Sequence, residues 1–388
     1  MTASTEQLDV RVRDELARVS GTDPQDWYLV SKARHAMTLV LGVLEPGEVV
    51  TQPLTCLTAV APVISAGHTP VYADLDPETL AMDPALLGAV TTPRTRAVVG
   101  QHTFGAAAPL AELREAAPQG AMLLEDAAHC LGELARGSDG APLADVSVHS
   151  FGVEKILPTR LGAACWVNPA GSGMPWHARV VTALLGLGEP GVRGRASQLL
   201  SRPAQGVARR LGGPGQVGIA FAARAGLVDT PIMPAELQGR VAGTPAALTG
   251  PPLAQVAESL GGLEANRGHR RAVATLYREG LAEVAGAHTP SALDEPGRVL
   301  VRYPVLLDSA ATAQEAFRVL EARGAVPGRW YRPLLFPGPG DPAAFGYRPG
   351  SCPVAEDVSA RILNLPTAGF VTEAAARGTV AAVRDLVG

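Results

Sequence analysis

Lysine is rare in this chain, which makes each lysine a candidate for chemistry. Of the 33 basic residues only Lys32 and Lys155 are lysines, and all the others are arginines. Arginine stays protonated, whereas a lysine can lose its proton and form a Schiff base with a carbonyl. Lys155 follows Asp126 by 29 residues and Ser150 by five, in the segments LLEDAAHCLGE and HSFGVEK. The sequence therefore predicts a carbonyl-binding amine at position 155, with an acid and a hydroxyl nearby.

One cofactor needs these three parts together. Pyridoxal 5′-phosphate (PLP) requires an amine for its aldehyde, an acid beside its pyridine nitrogen and donors for its phosphate. Lys155, Asp126 and Ser150 can supply them, and His129 could contact the ring or its phenolic oxygen. Each also has an ordinary explanation: a helix cap for Asp126, a turn for Ser150, the surface for Lys155, and core or surface for His129. The combination indicates a PLP enzyme.

Short apolar segments alternate with helical patterns from about residue 27 to 167. We predict helices over 33–44, 57–66 and 109–117, and strands at VVTQP, PVYADL, RAVVGQH, AMLLED, VSVHSF and AACWV. Strands separated by helices form mainly parallel, buried sheets. Asp126 and Ser150 fall at carboxyl ends of strands, where sites in such sheets collect. The prediction is an α/β fold with a mainly parallel sheet flanked by helices.

A chain of 388 residues favours two domains. We predict a large PLP-binding domain over 1–252 and a small α/β domain over 253–388, with a helix to about 284, the strand RVLVRYPVLL and three later helices. Within the large domain, 169–252 is rich in Gly, Pro and Arg and has no clear pattern. It could be a substrate lid, a subunit contact, a membrane-facing surface or a solvated helix face. Its GLGEPG hexapeptide matches a dinucleotide fingerprint by chance, because Pro interrupts it and no acid follows at the required spacing.

Composition excludes several classes of partner and site. A net charge of −4 gives no reason to expect nucleic acid. The four cysteines are widely spaced, so a zinc site or disulfide framework is not expected. The N-terminal sequence lacks the apolar core of a signal peptide, and no apolar run approaches the roughly 20 residues that span a bilayer. We expect a soluble cytoplasmic protein without membrane insertion.

Four motifs in order resemble the DegT/DnrJ/EryC1/StrS family, the fold-type-I sugar aminotransferases. They are the stretch HTPVYADLDPETL with TTPRTRAVV, the EDAAH motif, the SFxxxK motif and the C-terminal segment from PVAEDV to RDLV. The resemblance covers roughly residues 25–170 and 253–388. It implies a seven-stranded-type sheet, a PLP cofactor, and a homodimer with the active site at the interface.

The resemblance also assigns roles by position. It places the acid that pairs with the pyridine nitrogen at Asp126, the Schiff-base lysine at Lys155, the phosphate-binding serine at Ser150 and the residue near the phenolic oxygen at His129. The segment SKARHAM, which begins at Ser31, corresponds to the family's phosphate loop at a helix N-terminus.

Three departures accompany these matches. Lys32 and Ala33 replace the family's Gly and Thr in the phosphate loop, so Lys32 could meet the phosphate or substrate, or be merely exposed. The ring-stacking aromatic falls on Cys56, a thiol with less packing area. The partner-subunit segment that donates an Asn to the phosphate has no match.

The resemblance implies transamination, because the family's dehydratases carry His where this chain has Lys155. We expect an amino group to move from an amino acid, expected to be glutamate, to a nucleotide-linked keto sugar or related precursor. The alternatives are a PLP lyase or cyclase, or a non-catalytic PLP-binding homologue. In GRWYRPLLF, the residues Arg329, Tyr331 and Arg332 could hold a substrate anion or lie at the surface.

Overall fold

Two sheets organise the chain. The structure is a computed structural model that describes residues 3–387, except for the side chains at positions 198, 199, 202 and 209. Strands of the first sheet are β1 (Trp27–Val30), β2 (Glu48–Thr51), β3 (Thr69–Tyr72), β4 (Thr95–Gln101), β5 (Met122–Asp126), β6 (Val146–Ser150) and β7 (Ala163–Val167). Strands of the second are β8 (Ala287–His288), β9 (Arg302–Leu307) and β10 (Ile362–Pro366).

The seven-stranded sheet has the order β1-β7-β6-β5-β4-β2-β3. The pairs among β2 to β6 are parallel, and β7 and β1 are antiparallel to their neighbours. Most positions of β4 to β7 are buried, and the strands are rich in apolar residues, with Ser147 and His149 of β6 as buried polar exceptions. The predicted α/β class and mainly parallel sheet are confirmed, and Asp126 and Ser150 end the adjacent strands β5 and β6.

Helices cover both faces of the large sheet and one face of the small one. Those up to the end of the large sheet are α1 (Thr5–Ser20), α2 (Ala33–Gly42), α3 (Leu57–Ser65), α4 (Pro84–Val90) and α5 (Leu110–Ala116). Those after it are α6 (His177–Leu185), α7 (Val192–Leu211), α8 (Gly213–Arg224), α9 (Gly250–Leu260), α10 (Leu263–Leu281), α11 (Ala310–Ala322), α12 (Pro342–Phe345), α13 (Pro353–Arg361) and α14 (Glu373–Val387).

Two helical features differ from the sequence expectation. The single helix predicted from residue 253 to 284 is two helices, α9 and α10, separated at Gly261 and Gly262, because consecutive glycines favour a break. The N-terminal helix α1 was not predicted, although Ser4 and Gln7 form a capping box at its start. GLGEPG connects α6 to α7 and follows no strand, which agrees with a chance match.

The segment 169–252 contains a helical hairpin formed by α7 and α8. The two helices are joined at Gly212, whose φ of 63° suits glycine. They approach closely at Gly215, where an added Cβ would lie 2.2 Å from the Ala208 carbonyl oxygen. Exposed apolar side chains on this hairpin include Val217 and Phe221.

The largest hydrophobic cluster is continuous between the two sheets. It joins Trp27 and Trp166 of the large sheet to Val305 and Leu363 of the small one. The segment that carries Trp330 and Tyr331 packs into the same cluster. No helix among residues 3–387 is long and apolar enough to cross a membrane.

Candidate active site

Asp126 lies buried at the carboxyl end of β5. Its Oδ1 accepts a 3.0 Å hydrogen bond from the backbone N–H of Ala128. Burial raises the pKa of the Asp126 carboxyl, while the Ala128 N–H and the charge of Lys155 oppose this rise. The ionised form therefore benefits from a cation or a protonated ring nitrogen beside it.

Lys155 lies on the turn that follows β6. Its backbone N–H donates to the Gly152 carbonyl at 2.9 Å, and its half-buried side chain places Nζ 5.3 Å from the ring centroid of Trp330. Burial lowers the pKa of the Lys155 amine, with the charge of Asp126 as the main opposing influence. A lowered pKa increases the neutral fraction that can attack a carbonyl or accept a proton.

His129 is held through both of its ring nitrogens. Its Nδ1 accepts a 3.0 Å hydrogen bond from the Phe104 N–H, and its Nε2 lies 3.2 Å from the Tyr331 hydroxyl. Burial and then the charge of Lys155 keep the pKa of His129 well below its usual range. The imidazole is therefore neutral at physiological pH.

An aromatic stack extends from His129 towards Lys155. The rings of His129 and Trp330 are nearly parallel, with an interplanar angle of 4° and centroids 5.3 Å apart. The Arg302 guanidinium lies 5.1 Å from the Trp330 centroid, and its Nη2 is 2.9 Å from Glu154 Oε1. Trp330 and Arg302 were not predicted: the candidates considered in GRWYRPLLF were the neighbours of Trp330, and Arg302 is one of many arginines.

The N-terminus of α2 can receive an anion. Among the described residues, no acceptor is bonded to the backbone N–H groups of Lys32, Ala33 and Arg34, and no side chain caps this helix. Free N–H groups at a helix start suit a phosphate. The charge of Arg34 is also among the influences that lower the pKa of Lys155, so the helix start and Lys155 are near each other.

A strap formed by residues 229–236 lies against the start of α2. Lys32 Nζ contacts Asp229 Oδ1 at 2.7 Å, with both side chains mostly buried. Arg34 pairs with the buried Glu236 and donates to the Pro231 carbonyl at 2.8 Å. Lys32 is therefore neither free nor merely exposed in this structure, but neutralised by a residue of the variable segment.

The remaining predicted site residues lie at element ends. Ser31 is buried after β1, with its Oγ 3.1 Å from His35 Nδ1. Ser150 is the half-buried last residue of β6. Cys56 precedes α3, and its sulfur accepts a hydrogen bond of 3.0 Å from Thr58 Oγ1. Cys56 also forms a backbone bridge with Phe336, next to the segment of Trp330.

Of the three residues considered for a substrate anion in GRWYRPLLF, Tyr331 lies against His129. The two arginines make their recorded contacts on α11 instead. Arg329 packs over the ring of Phe317 at 4.0 Å, and Arg332 Nη2 donates to Gln314 Oε1 at 3.2 Å. The structure thus does not bring these arginines into contact with Asp126 or Lys155.

The donor set fits PLP. A buried carboxylate at Asp126 suits the ring nitrogen, an amine of lowered pKa at Lys155 suits the aldehyde, and the unbonded N–H groups of α2 suit the phosphate. The charge of Lys155 influences the pKa of Asp126, and the charge of Asp126 influences the pKa of Lys155, so the first two groups belong to the same site.

Comparison with known proteins identifies a family model and curated relatives that match this chain. The model of the DegT/DnrJ/EryC1/StrS aminotransferase family matches residues 28–168 and 235–384. GDP-perosamine synthase from Caulobacter vibrioides is 34% identical over 137 residues, which cover 35% of this chain and 37% of that protein. L-glutamine:2-deoxy-scyllo-inosose aminotransferase from Streptoalloteichus tenebrarius is 35% identical over 130 residues, 33% of this chain and 31% of that protein. The aligned parts thus span about a third of each of these curated relatives.

The fold also matches a solved structure. A crystal structure of DesI in the presence of its TDP-sugar product superposes with a TM-score of 0.71 and 24% identity. The match covers 98% of this chain and 84% of DesI. This likeness concerns the fold, and it extends over both sheets.

Proposed function

The chain belongs to the DegT/DnrJ/EryC1/StrS aminotransferase family, and from that premise we propose that it is a PLP-dependent aminotransferase. The amino group comes from an amino acid, expected to be glutamate, and goes to the ketone of a nucleotide-linked sugar or a related precursor. The observation that carries the proposal is the position of Asp126 and Ser150 at the ends of the paired parallel strands β5 and β6, with Lys155 on the turn that follows β6.

Bound PLP supplies an electron-withdrawing ring that stabilises negative charge at the substrate Cα. Lys155 holds the cofactor through Nζ and then moves a proton at the substrate Cα from the same atom. Asp126 keeps the ring nitrogen protonated, and its burial makes a cationic partner favourable. In this assignment His129 lies near the phenolic oxygen of PLP, and Cys56 packs against the PLP ring.

The phosphate is assigned to the start of α2. The unbonded N–H groups of Lys32, Ala33 and Arg34 follow Ser31, and Ser150 provides a hydroxyl from the end of β6. Lys32 adds a cation to this end of the site once Asp229 releases it. In this proposal Lys32 takes the place of the partner-subunit Asn for which the sequence has no match.

The substrate class is supported by the names of relatives. GDP-perosamine synthase is named for a nucleotide-linked sugar, and the second relative for an aminotransferase that acts on a cyclic ketone. Both names fit a keto group on a polar ring. Because the aligned parts span about a third of each relative, the acceptor is inferred from the family rather than from a shared pocket.

The organisation of the protein follows from the same premise. A large domain over 1–252 and a small one over 253–388 are supported by the two separate sheets, with residues 1, 2 and 388 outside the described chain. A homodimer is supported by exposed apolar side chains on the α7–α8 hairpin, such as Val217 and Phe221. A cytoplasmic location is supported by four free cysteines.

The test is amino transfer from isotopically labelled glutamate to a panel of nucleotide-linked keto sugars and cyclic ketones, followed by mass spectrometry. Label in the product, absent with Lys155→Ala, supports the proposal. A protein that binds PLP but transfers no amino group from any amino acid contradicts it. That result favours a lyase, a cyclase or a cofactor-binding homologue.

A further inference from the structure

The hydrogen-bond geometry fixes the tautomer of His129. The backbone N–H of Phe104 can only donate, so His129 Nδ1 is an acceptor. The neutral ring then carries its single proton on Nε2. That proton is donated to the Tyr331 oxygen, 3.2 Å away.

The Tyr331 hydroxyl must therefore direct its own hydrogen elsewhere. Among residues 3–387 the structure gives this hydroxyl no partner other than His129. Tyr331 is 3% exposed, so bulk water does not readily serve as the acceptor. Burial, and then the charges of Cys56, Asp126 and Glu154, keep the pKa of Tyr331 well above its usual value. Tyr331 is thus a neutral, oriented donor with no recorded acceptor.

We propose that Tyr331 donates its hydroxyl hydrogen to the phenolic oxygen of bound PLP, and that His129 is the positioning residue that orients it. The inference rests on the proposed function. On the PLP ring the phenolic oxygen is adjacent to the aldehyde carbon, which Lys155 holds, and the ring nitrogen goes to Asp126. The Tyr331 hydroxyl lies 3.2 Å from His129 Nε2, and the His129 ring stacks on that of Trp330, which lies 5.3 Å from Lys155 Nζ. These contacts place the hydroxyl beside the groups that surround Lys155.

This assignment changes the role expected for His129. Both of its ring nitrogens are engaged, one by the Phe104 N–H and one by Tyr331. A direct contact between His129 and the cofactor would require one of these bonds to break. In the proposed arrangement both hydrogen bonds remain, and His129 affects the cofactor through Tyr331.

The test is a pH titration of the visible absorption of bound PLP in the wild type and in Tyr331→Phe. The donor stabilises negative charge on the phenolic oxygen and so weakens the hold of the neighbouring imine nitrogen on its proton. Removing the Tyr331 hydroxyl should therefore raise the pH at the midpoint of the absorption change by about one unit. The matched control is Tyr277→Phe, which removes a buried hydroxyl bonded to the Pro366 carbonyl at 2.9 Å and leaves the titration unchanged.

A second variant separates the two roles. His129→Leu shifts the titration in the same direction, and it adds nothing in the Tyr331→Phe background, because its effect passes through the tyrosine. An unchanged titration in Tyr331→Phe overturns the inference while the aminotransferase stands. A His129→Leu shift that is equally large without the tyrosine hydroxyl also overturns it. A wild type that binds no PLP removes the proposed function itself.

Discussion

Arg270 donates a 3.1 Å hydrogen bond from Nη2 to the main-chain carbonyl of Lys155. The same buried guanidinium donates from Nη1 to the Val301 carbonyl at 3.0 Å and Thr367 Oγ1 at 2.9 Å, and from Nε to Asn266 Oδ1 at 2.7 Å. Its partners are neutral oxygens, and burial lowers the pKa of Arg270 to about 10. The side chain thus ties the Lys155 turn to α10 and to the ends of β9 and β10.

Replacing Arg270 with lysine tests this tie. A lysine cannot reproduce the planar fork that serves four acceptors, so at least one buried oxygen loses its donor. We expect Arg270→Lys to lower the free energy of unfolding by about 2 kcal/mol and to lower kcat. Denaturant unfolding and steady-state rates measure the two effects.

The control for Arg270 is its neighbour. Arg271 has a side chain that is 41% exposed and lies 4.0 Å from Glu264. Arg271→Lys should therefore leave both quantities close to wild type. Equal behaviour of the two variants would show that the bond to the Lys155 carbonyl contributes nothing.

The ion pair between Lys32 and Asp229 predicts an effect on cofactor affinity. Asp229→Asn removes the charge that neutralises Lys32 and leaves the cation available to the phosphate. We expect PLP to bind about fivefold more tightly, which corresponds to an ion-pair contribution of about 1 kcal/mol. Equilibrium titration of the apoprotein measures it.

A ligand without phosphate provides the internal comparison. Pyridoxal binding should not change in Asp229→Asn, because its phosphate is missing. Glu189→Gln, which disrupts the exposed pair with Arg195 in the same variable segment, should change neither ligand. Tighter binding of both ligands, or weaker binding of PLP, would contradict a role for Lys32 at the phosphate.

Two buried histidines predict loss of stability in acid. Burial lowers the pKa of His35 and of His149 to about 4, from an ordinary value of 6.5. Between these values the unfolded state binds more protons than the folded state, so stability falls as pH decreases from about 6.5 to about 4. Each histidine contributes on the order of 3 kcal/mol to this loss.

His35 is the more useful site for the measurement, because its contacts are with Ser31 and Ala242 beside α2. The free energy of unfolding of His35→Gln should decrease less steeply over this pH range than that of the wild type. Identical slopes for His35→Gln and the wild type would be the opposing result.

Local patterns in the sequence were sufficient for the large sheet and for two of its key positions. The apolar strands β4 to β7 are recognisable because they are buried on both faces, and this places Asp126 and Ser150 at adjacent carboxyl ends. The break between α9 and α10 was not predicted, because it depends on two consecutive glycines and hydrophobic periodicity alone does not reveal it.

Contacts between distant segments were not predictable in the same way. His129 and Tyr331 are 202 residues apart, and Lys32 and Asp229 are 197 apart. A single sequence contains no signal that such residues meet. The role of Arg270 was not predictable for a further reason: it is one of 31 arginines, and its burial is seen only in the folded chain.

The most direct test of the central claim is the visible absorption of the protein saturated with PLP, before and after glutamate is added. The account predicts a visible band that glutamate removes, and no such band in Lys155→Ala. Lys32→Ala, at the other lysine of the chain, should keep the band under saturating PLP. A wild type without the band, or a band that persists in Lys155→Ala, would contradict the account.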